Sequence, residues 1–155
     1  MNLAELHPRL AGRWAGRKHL WLEDQPTPQG TSASALLIAP AAKGCFLRFE
    51  YSWAHQEAEH EGLLIVGHDD KRLRATAVWI DSWHMRERVM HLQGSIDAQG
   101  AISLLGAYRA PIGPDLGWRI GIMKTGPDDL RIVMHDISPE GDKTLAVRAD
   151  YRRER

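Results

Sequence analysis

Cys45-Phe46-Leu47-Arg48-Phe49-Glu50-Tyr51-Ser52-Trp53 alternates between two chemistries from Leu47 to its end. In an extended chain successive side chains point to opposite faces, so Cys45, Leu47, Phe49, Tyr51 and Trp53 share one side while Arg48, Glu50 and Ser52 share the other. A half-buried strand produces that pattern and a helix does not. The apolar set is predicted to point into a core, with Cys45 as a small buried thiol.

Moving outward from this strand, turn-forming clusters recur at Gln25 to Gly30, Ala41 to Gly44, His68 to Lys71, Asp97 to Gly100, Pro111 to Pro114, Gly126 to Asp129 and Pro139 to Lys143. Between them lie alternating segments predicting ten strands, approximately at 13–23, 32–39, 45–54, 58–68, 72–83, 88–96, 101–110, 117–125, 130–137 and 144–153. A short helical turn in Asn2 to Leu10 precedes them. No crossover helix separates any pair, so neighbouring strands form hairpins, and a meander this long closes to remove its exposed edges. The expected fold is all-β: a closed up-and-down antiparallel barrel of about ten strands with a short N-terminal helix.

At 155 residues the chain is expected to form one domain, spanning 1–155, with room for a real core. Lys plus Arg and Asp plus Glu each number 20, which leaves no basic field to hold nucleic acid or an anionic bilayer. The N-terminus carries no basic region leading into a long apolar run, and no stretch reaches the roughly 20 apolar residues of a membrane span. A cytoplasmic location is the expectation. Cys45 is the sole cysteine, so an internal disulfide is excluded.

Trp79-Ile80-Asp81-Ser82-Trp83-His84 places two indoles, a carboxylate and an imidazole on one predicted strand. Burying Asp81 is costly unless something hydrogen-bonds it or uses it, so the segment marks a site. A tight turn at Asp70-Lys71 would set His60 opposite Asp81 and Gly62 opposite Trp79, while the turn at Gln56-Glu57 sets Trp53 opposite His60. Trp79, Asp81 and Trp83 then face the lumen, and Ile80, Ser82 and His84 face outward or cap the mouth. A loop longer or shorter by one residue would exchange the faces and put His84 and Ser82 inside. Near the C-terminus, a turn at Glu140-Gly141 makes Asp136 oppose Leu145, Met134 oppose Val147 and Leu130 oppose Tyr151. Trp118, Ile120 and Ile122 are their inward companions. The predicted ligand-binding set is Tyr51, Trp53, His60, Trp79, Asp81, Trp83, Trp118 and Met134, with His60 and Asp81 as the catalytic candidates. His55, His60, His84, Glu57, Glu59 and Glu61 raise the question of a metal, but the glutamates fall on an outer face and no His-x-His pair occurs, so none is expected.

The ordered motifs Gly12-Arg13-Trp14, His60-Glu61-Gly62, Gly67-His68-Asp69, Trp79-x-Asp81-Ser82-x-His84, Gly117-Trp118 and Pro139-Glu140-Gly141 resemble a bacterial family of unknown function placed among the calycin-like barrels. Lipocalins, fatty-acid-binding proteins and nitrobindins are its relatives. The resemblance implies a ten-stranded closed barrel with no established activity, and gives Trp14 the structural role of plugging one barrel end. Nitrobindin-like barrels hold haem through a late-strand histidine, and His135 lies in that region. The inward residue there is Met134 or Asp136, so His135 is expected to face solvent and no cofactor is expected. The Arg-x-Tyr carboxylate anchor of fatty-acid-binding barrels is not reproduced, since Arg148 and Tyr151 fall on opposite faces. Arg148, Asp150 and Arg152 instead read as a solvated charge row.

These observations favour a barrel that binds a small apolar or aromatic ligand, because six tryptophans supply flat faces with one donor each. The alternatives are an enzyme using His60 as general base, held in one tautomer by Asp81, and a structural or interaction protein whose lumen is filled by its own side chains.

Overall fold

The computed structural model describes residues 1–155. Helix α1 (Leu3–Leu10) precedes strands β1 (Gly12–Leu20), β2 (Gly30–Ala41), β3 (Phe46–His55), β4 (Ala58–Asp69) and β5 (Arg74–Asp81). The second half adds β6 (Met90–Ile96), β7 (Ile102–Tyr108), β8 (Leu116–Gly126), β9 (Asp129–Ile137) and β10 (Lys143–Arg153). Every strand pairs antiparallel with its sequence neighbours and β10 returns to β1, so the sheet closes as the alternation predicts. Closure leaves no strand edge unpaired. One apolar cluster of 32 buried residues fills the interior.

Helix α1 stoppers one end. Asn2 and Glu5 form a capping box, with Glu5 N–H donating to the Asn2 side chain at 3.0 Å and Asn2 N–H to the Glu5 carboxylate at 2.9 Å. Leu3, Leu6 and Leu10, spaced to share one helix face, are buried against the barrel. Trp14 Nε1 donates to the Leu10 carbonyl at 3.0 Å, and the Arg153 guanidinium lies 4.2 Å over the Trp14 ring. Arg153 also donates to the carbonyls of Ala11 at 2.6 Å and Arg9 at 2.7 Å, tying the last strand to the helix. Gly12 takes φ +135° beside this guanidinium, a conformation a side chain would strain.

Three local expectations are corrected. Cys45 is not buried: β3 begins at Phe46, and Cys45 sits exposed at the end of a turn in which Ala42, Lys43 and Gly44 all take left-handed φ. The loop between β4 and β5 holds four residues, Asp70 to Leu73, because Asp69 Oδ1 accepts from the N–H groups of Lys71 at 3.0 Å and Arg72 at 3.2 Å and Leu73 adopts φ 52°. Partners consequently slip by two, so that Gly62 faces Asp81 and Leu64 faces Trp79, and His60 does not face Asp81. An even slip preserves the faces while changing every pair. Between β9 and β10, Met134 opposes Val147 and Leu130 opposes Tyr151 as expected, but a bulge at Ala146 sets Asp136 opposite Thr144 in place of Leu145. On the outer wall Asp150 accepts from Arg131 at 2.7 Å and Arg148 at 2.9 Å, the solvated row the sequence suggests.

Candidate ligand site at the barrel mouth

The end opposite α1 is ringed by the connections 21–29, 56–57, 82–89, 109–115 and 138–142. Asp81, the last residue of β5, organises it. Its backbone carbonyl accepts from Met85 N–H at 3.0 Å and Arg86 N–H at 2.9 Å, and its Oδ1 accepts from Trp83 N–H at 2.8 Å and His84 N–H at 2.9 Å. These four bonds curl the chain inward and end the alternation at Asp81. Oδ2 accepts from the Tyr51 hydroxyl at 2.6 Å, and that hydroxyl accepts from Trp79 Nε1 at 3.0 Å. Burial alone would raise the Asp81 pKa, but the nearby His84 and Lys18 and the donors Tyr51 and His84 N–H hold it below the usual carboxylate value. Burial pushes Tyr51 up, and the Asp81 charge and hydrogen bond add to the shift. Gly62, across the ladder, makes room: a Cβ there would lie 2.2 Å from the Tyr51 ring and hydroxyl.

Two buried basic groups flank this carboxylate. Lys18 points inward from β1 at 2% exposure, with Nζ 3.4 Å from the centroid of Trp53 and 5.4 Å from that of Tyr51. No hydrogen-bond partner reaches it. Burial lowers its pKa to about 7, against the opposing pull of Asp81. His84 packs its ring among Trp53, Trp79, Trp83 and Trp118 at centroid distances of 5.6, 5.6, 4.7 and 5.4 Å. Burial lowers its pKa to about 3, Lys18 lowers it further and Asp81 opposes, so the ring is neutral at pH 7. Its Nε2 is enclosed and unpartnered, as are Nε1 of Trp53 and Nε1 of Trp118.

A cavity of about 190 Å³ opens beside His84, lined by Trp79, Trp83, Tyr108, Trp118 and Asp136 with Arg88 at its edge. Trp79 and Trp118 are parallel at 5.5 Å, giving one wall a double indole layer. Opposite charge chemistry sits close by: the Tyr108 hydroxyl donates to Asp136 Oδ1 in a short hydrogen bond. Burial raises the Asp136 pKa, with the Tyr108 bond opposing, and burial also raises that of Tyr108.

Trp79, Trp83 and Trp118 thus line the cavity, while Tyr51, Trp53 and Asp81 form the polar-aromatic layer of the lumen and Met134 lies in the packed core. His60 is brought to Trp53, its ring centroid 5.0 Å away, and its Nδ1 lies 3.1 Å from Ser82 Oγ, not at Asp81. A cavity joining His60 to Asp81 is not formed; neither residue lines the mouth cavity. His84, expected to face outward or cap the mouth, is drawn inside by the turn that Asp81 caps. Ser82 is exposed at the rim. Lys18 was legible, since Trp14, Lys18 and Leu20 share the inward parity of β1. His135 lies on the outer face of β9 across from Arg119, where burial, Lys143 and Arg119 lower its pKa.

The model of the DUF1579 family, described as a protein of unknown function, matches residues 5–153. The crystal structure of Rv2717c from M. tuberculosis is similar at 18% identity and a TM-score of 0.66, over 99% of this chain and 97% of that one. The S-type phycobiliprotein lyase CPES from Guillardia theta is similar at 12% identity and a TM-score of 0.59, over 100% of this chain and 94% of that one. No curated protein matches the chain.

Proposed function

We propose a binding function from the premise that the chain belongs to the DUF1579 family, whose members share a description of unknown function. The protein is a small-molecule-binding barrel that takes a planar, one- or two-ring ligand at the mouth. The observation that carries this is the indole-walled cavity of about 190 Å³ into whose lining two polar groups, His84 and Trp118, bring ring nitrogens with no partner in the protein. Buried polar groups are ordinarily satisfied, so unsatisfied ones beside an apolar cavity fit a ligand that supplies the missing partners. The volume lies below the roughly 300–1,000 Å³ of sites for drug-sized ligands, which limits the ligand to a small ring system. That one neighbour in fold is a phycobiliprotein lyase supports small-molecule binding in barrels of this shape. A resident haem fits poorly: a tetrapyrrole exceeds the cavity, and His135 faces away from it. No metal is proposed, and the equal numbers of acidic and basic residues argue against a nucleic-acid partner.

His60 loses its proposed orienting carboxylate in this arrangement, so general-base catalysis is not part of the reading.

The test is titration of intrinsic tryptophan fluorescence with the non-emitting ring compounds 4-nitrophenol and 1-nitronaphthalene. Saturable quenching is expected, with Trp118→Leu weakening it about tenfold, or ~1.4 kcal/mol. If neither compound quenches saturably, the barrel is a filled scaffold and the binding reading is wrong.

A further inference from the structure

Among the enclosed polar atoms of the lumen, Lys18 Nζ is the one whose presence is hardest to explain by folding. A buried ammonium is normally paired with a carboxylate or held by carbonyls. Here Asp81 is the only acid in the layer, and its oxygens are already taken by Tyr51, Trp83 N–H and His84 N–H. Nζ instead lies against the Trp53 ring with no hydrogen bond. Trp53 in turn stacks on His84 at 5.6 Å, the ring that lines the mouth cavity, so a chain of contacts runs from the amine through the Trp53 and His84 rings to the cavity. A lysine in apolar surroundings gives up its proton far more readily than a solvated one, and its lone pair is then a nucleophile.

We propose that Lys18 is a covalent docking point for carbonyl ligands, its amine condensing with an aromatic or conjugated aldehyde that enters through the mouth. The Nζ lone pair attacks the carbonyl carbon and one amine proton passes to the carbonyl oxygen, giving a carbinolamine. The hydroxyl then leaves as water with the second amine proton, and the C=N bond forms. Nothing is oxidised or reduced, and water reverses the reaction. Trp53 offers a flat face for the conjugated imine, and Tyr51 with Asp81 stands beside the nitrogen. This inference rests on the binding reading only for its route of entry, since His84 has to swing aside to admit the ligand.

The chain contains five lysines, which makes selectivity readable. Lys43, Lys71 and Lys143 are exposed, and Lys124 donates to the Pro127 carbonyl at 2.5 Å. Folded protein is incubated with benzaldehyde at pH 7, the imine is trapped with cyanoborohydride, and labelling at each lysine is measured by peptide mass spectrometry. Lys18 is expected to label at least about tenfold faster than the three exposed lysines, because its desolvated amine gives up its proton more readily. In urea all five become solvated and the preference disappears. Benzyl alcohol, of similar shape without a carbonyl, leaves no adduct. Labelling of Lys18 at or below the rate of the exposed lysines in the folded protein overturns the proposal. Saturable quenching by 4-nitrophenol without a Lys18 adduct overturns the imine alone and leaves the binding reading standing. A Lys18 adduct without quenching supports the imine and removes the mouth cavity as the binding site.

Discussion

Two residues carry the chemistry of the lumen through what they lack. Gly62 has no side chain, and Tyr51 occupies that space on its way to Asp81. Gly62→Ala forces the ring aside and breaks the bond to a buried carboxylate, at an expected cost of about 2–4 kcal/mol in urea unfolding; a cost under 0.5 kcal/mol would show that the ring position is not fixed by Gly62. Lys18 lacks a hydrogen-bond partner, and its pKa falls from 10.5 to about 7 in the folded chain. Between those values the unfolded chain binds the additional proton, so stability rises with pH through the window and is lowest below about 7. Wild-type protein is expected to gain up to ~1.4 kcal/mol per pH unit from this group between pH 7 and 9. Lys18→Met removes that gain, and parallel urea midpoints for the two proteins across this range would refute the buried titration.

At the level of elements, α1 is held to the barrel by its apolar face and by one cation. Arg153 spans the chain ends, bonded to the carbonyls of Arg9 and Ala11 and lying over Trp14. Arg153→Ala removes two charge-assisted hydrogen bonds and a ring contact, which together contribute about 2–3 kcal/mol. The loss belongs to one junction: amide exchange is expected to accelerate in residues 3–10 and 12–16 while the β4–β5 hairpin keeps its protection. Uniform acceleration throughout the barrel would mean that the helix has no separable role. The 82–89 turn shows the same economy at the other end, where one carboxylate both terminates β5 and aims His84 into the lumen.

Across the molecule, closure is the property that no hairpin has by itself. Nine of the ten strand pairings join sequence neighbours, and only β1 with β10 joins the two ends. Deleting residues 143–155 leaves β1 and β9 as free edges and removes Val147, Ala149 and Tyr151 from the core. Such a chain is expected to elute from a sizing column as aggregate, and a folded monomer would show that nine strands reclose without the tenth.

The alternation of 45–53 and the regular turn clusters were enough to determine an all-β chain, its ten strands and their order, because those properties depend on a period of two that each segment carries in itself. The faces of β4 and β5 are the same in either register, since the four-residue loop differs from a tight turn by an even number of residues. Pair identities were not legible, for they depend on how Asp69 and Leu73 shape a turn and on where β10 admits a bulge. The site divides in the same way. Tyr51, Trp53, Trp79, Asp81 and Trp118 were readable as inward residues. His84 was not, because its position follows from hydrogen bonds to Asp81 that bend the chain out of the strand, and the isolation of Lys18 exists only once β3 and β5 have brought their side chains around it.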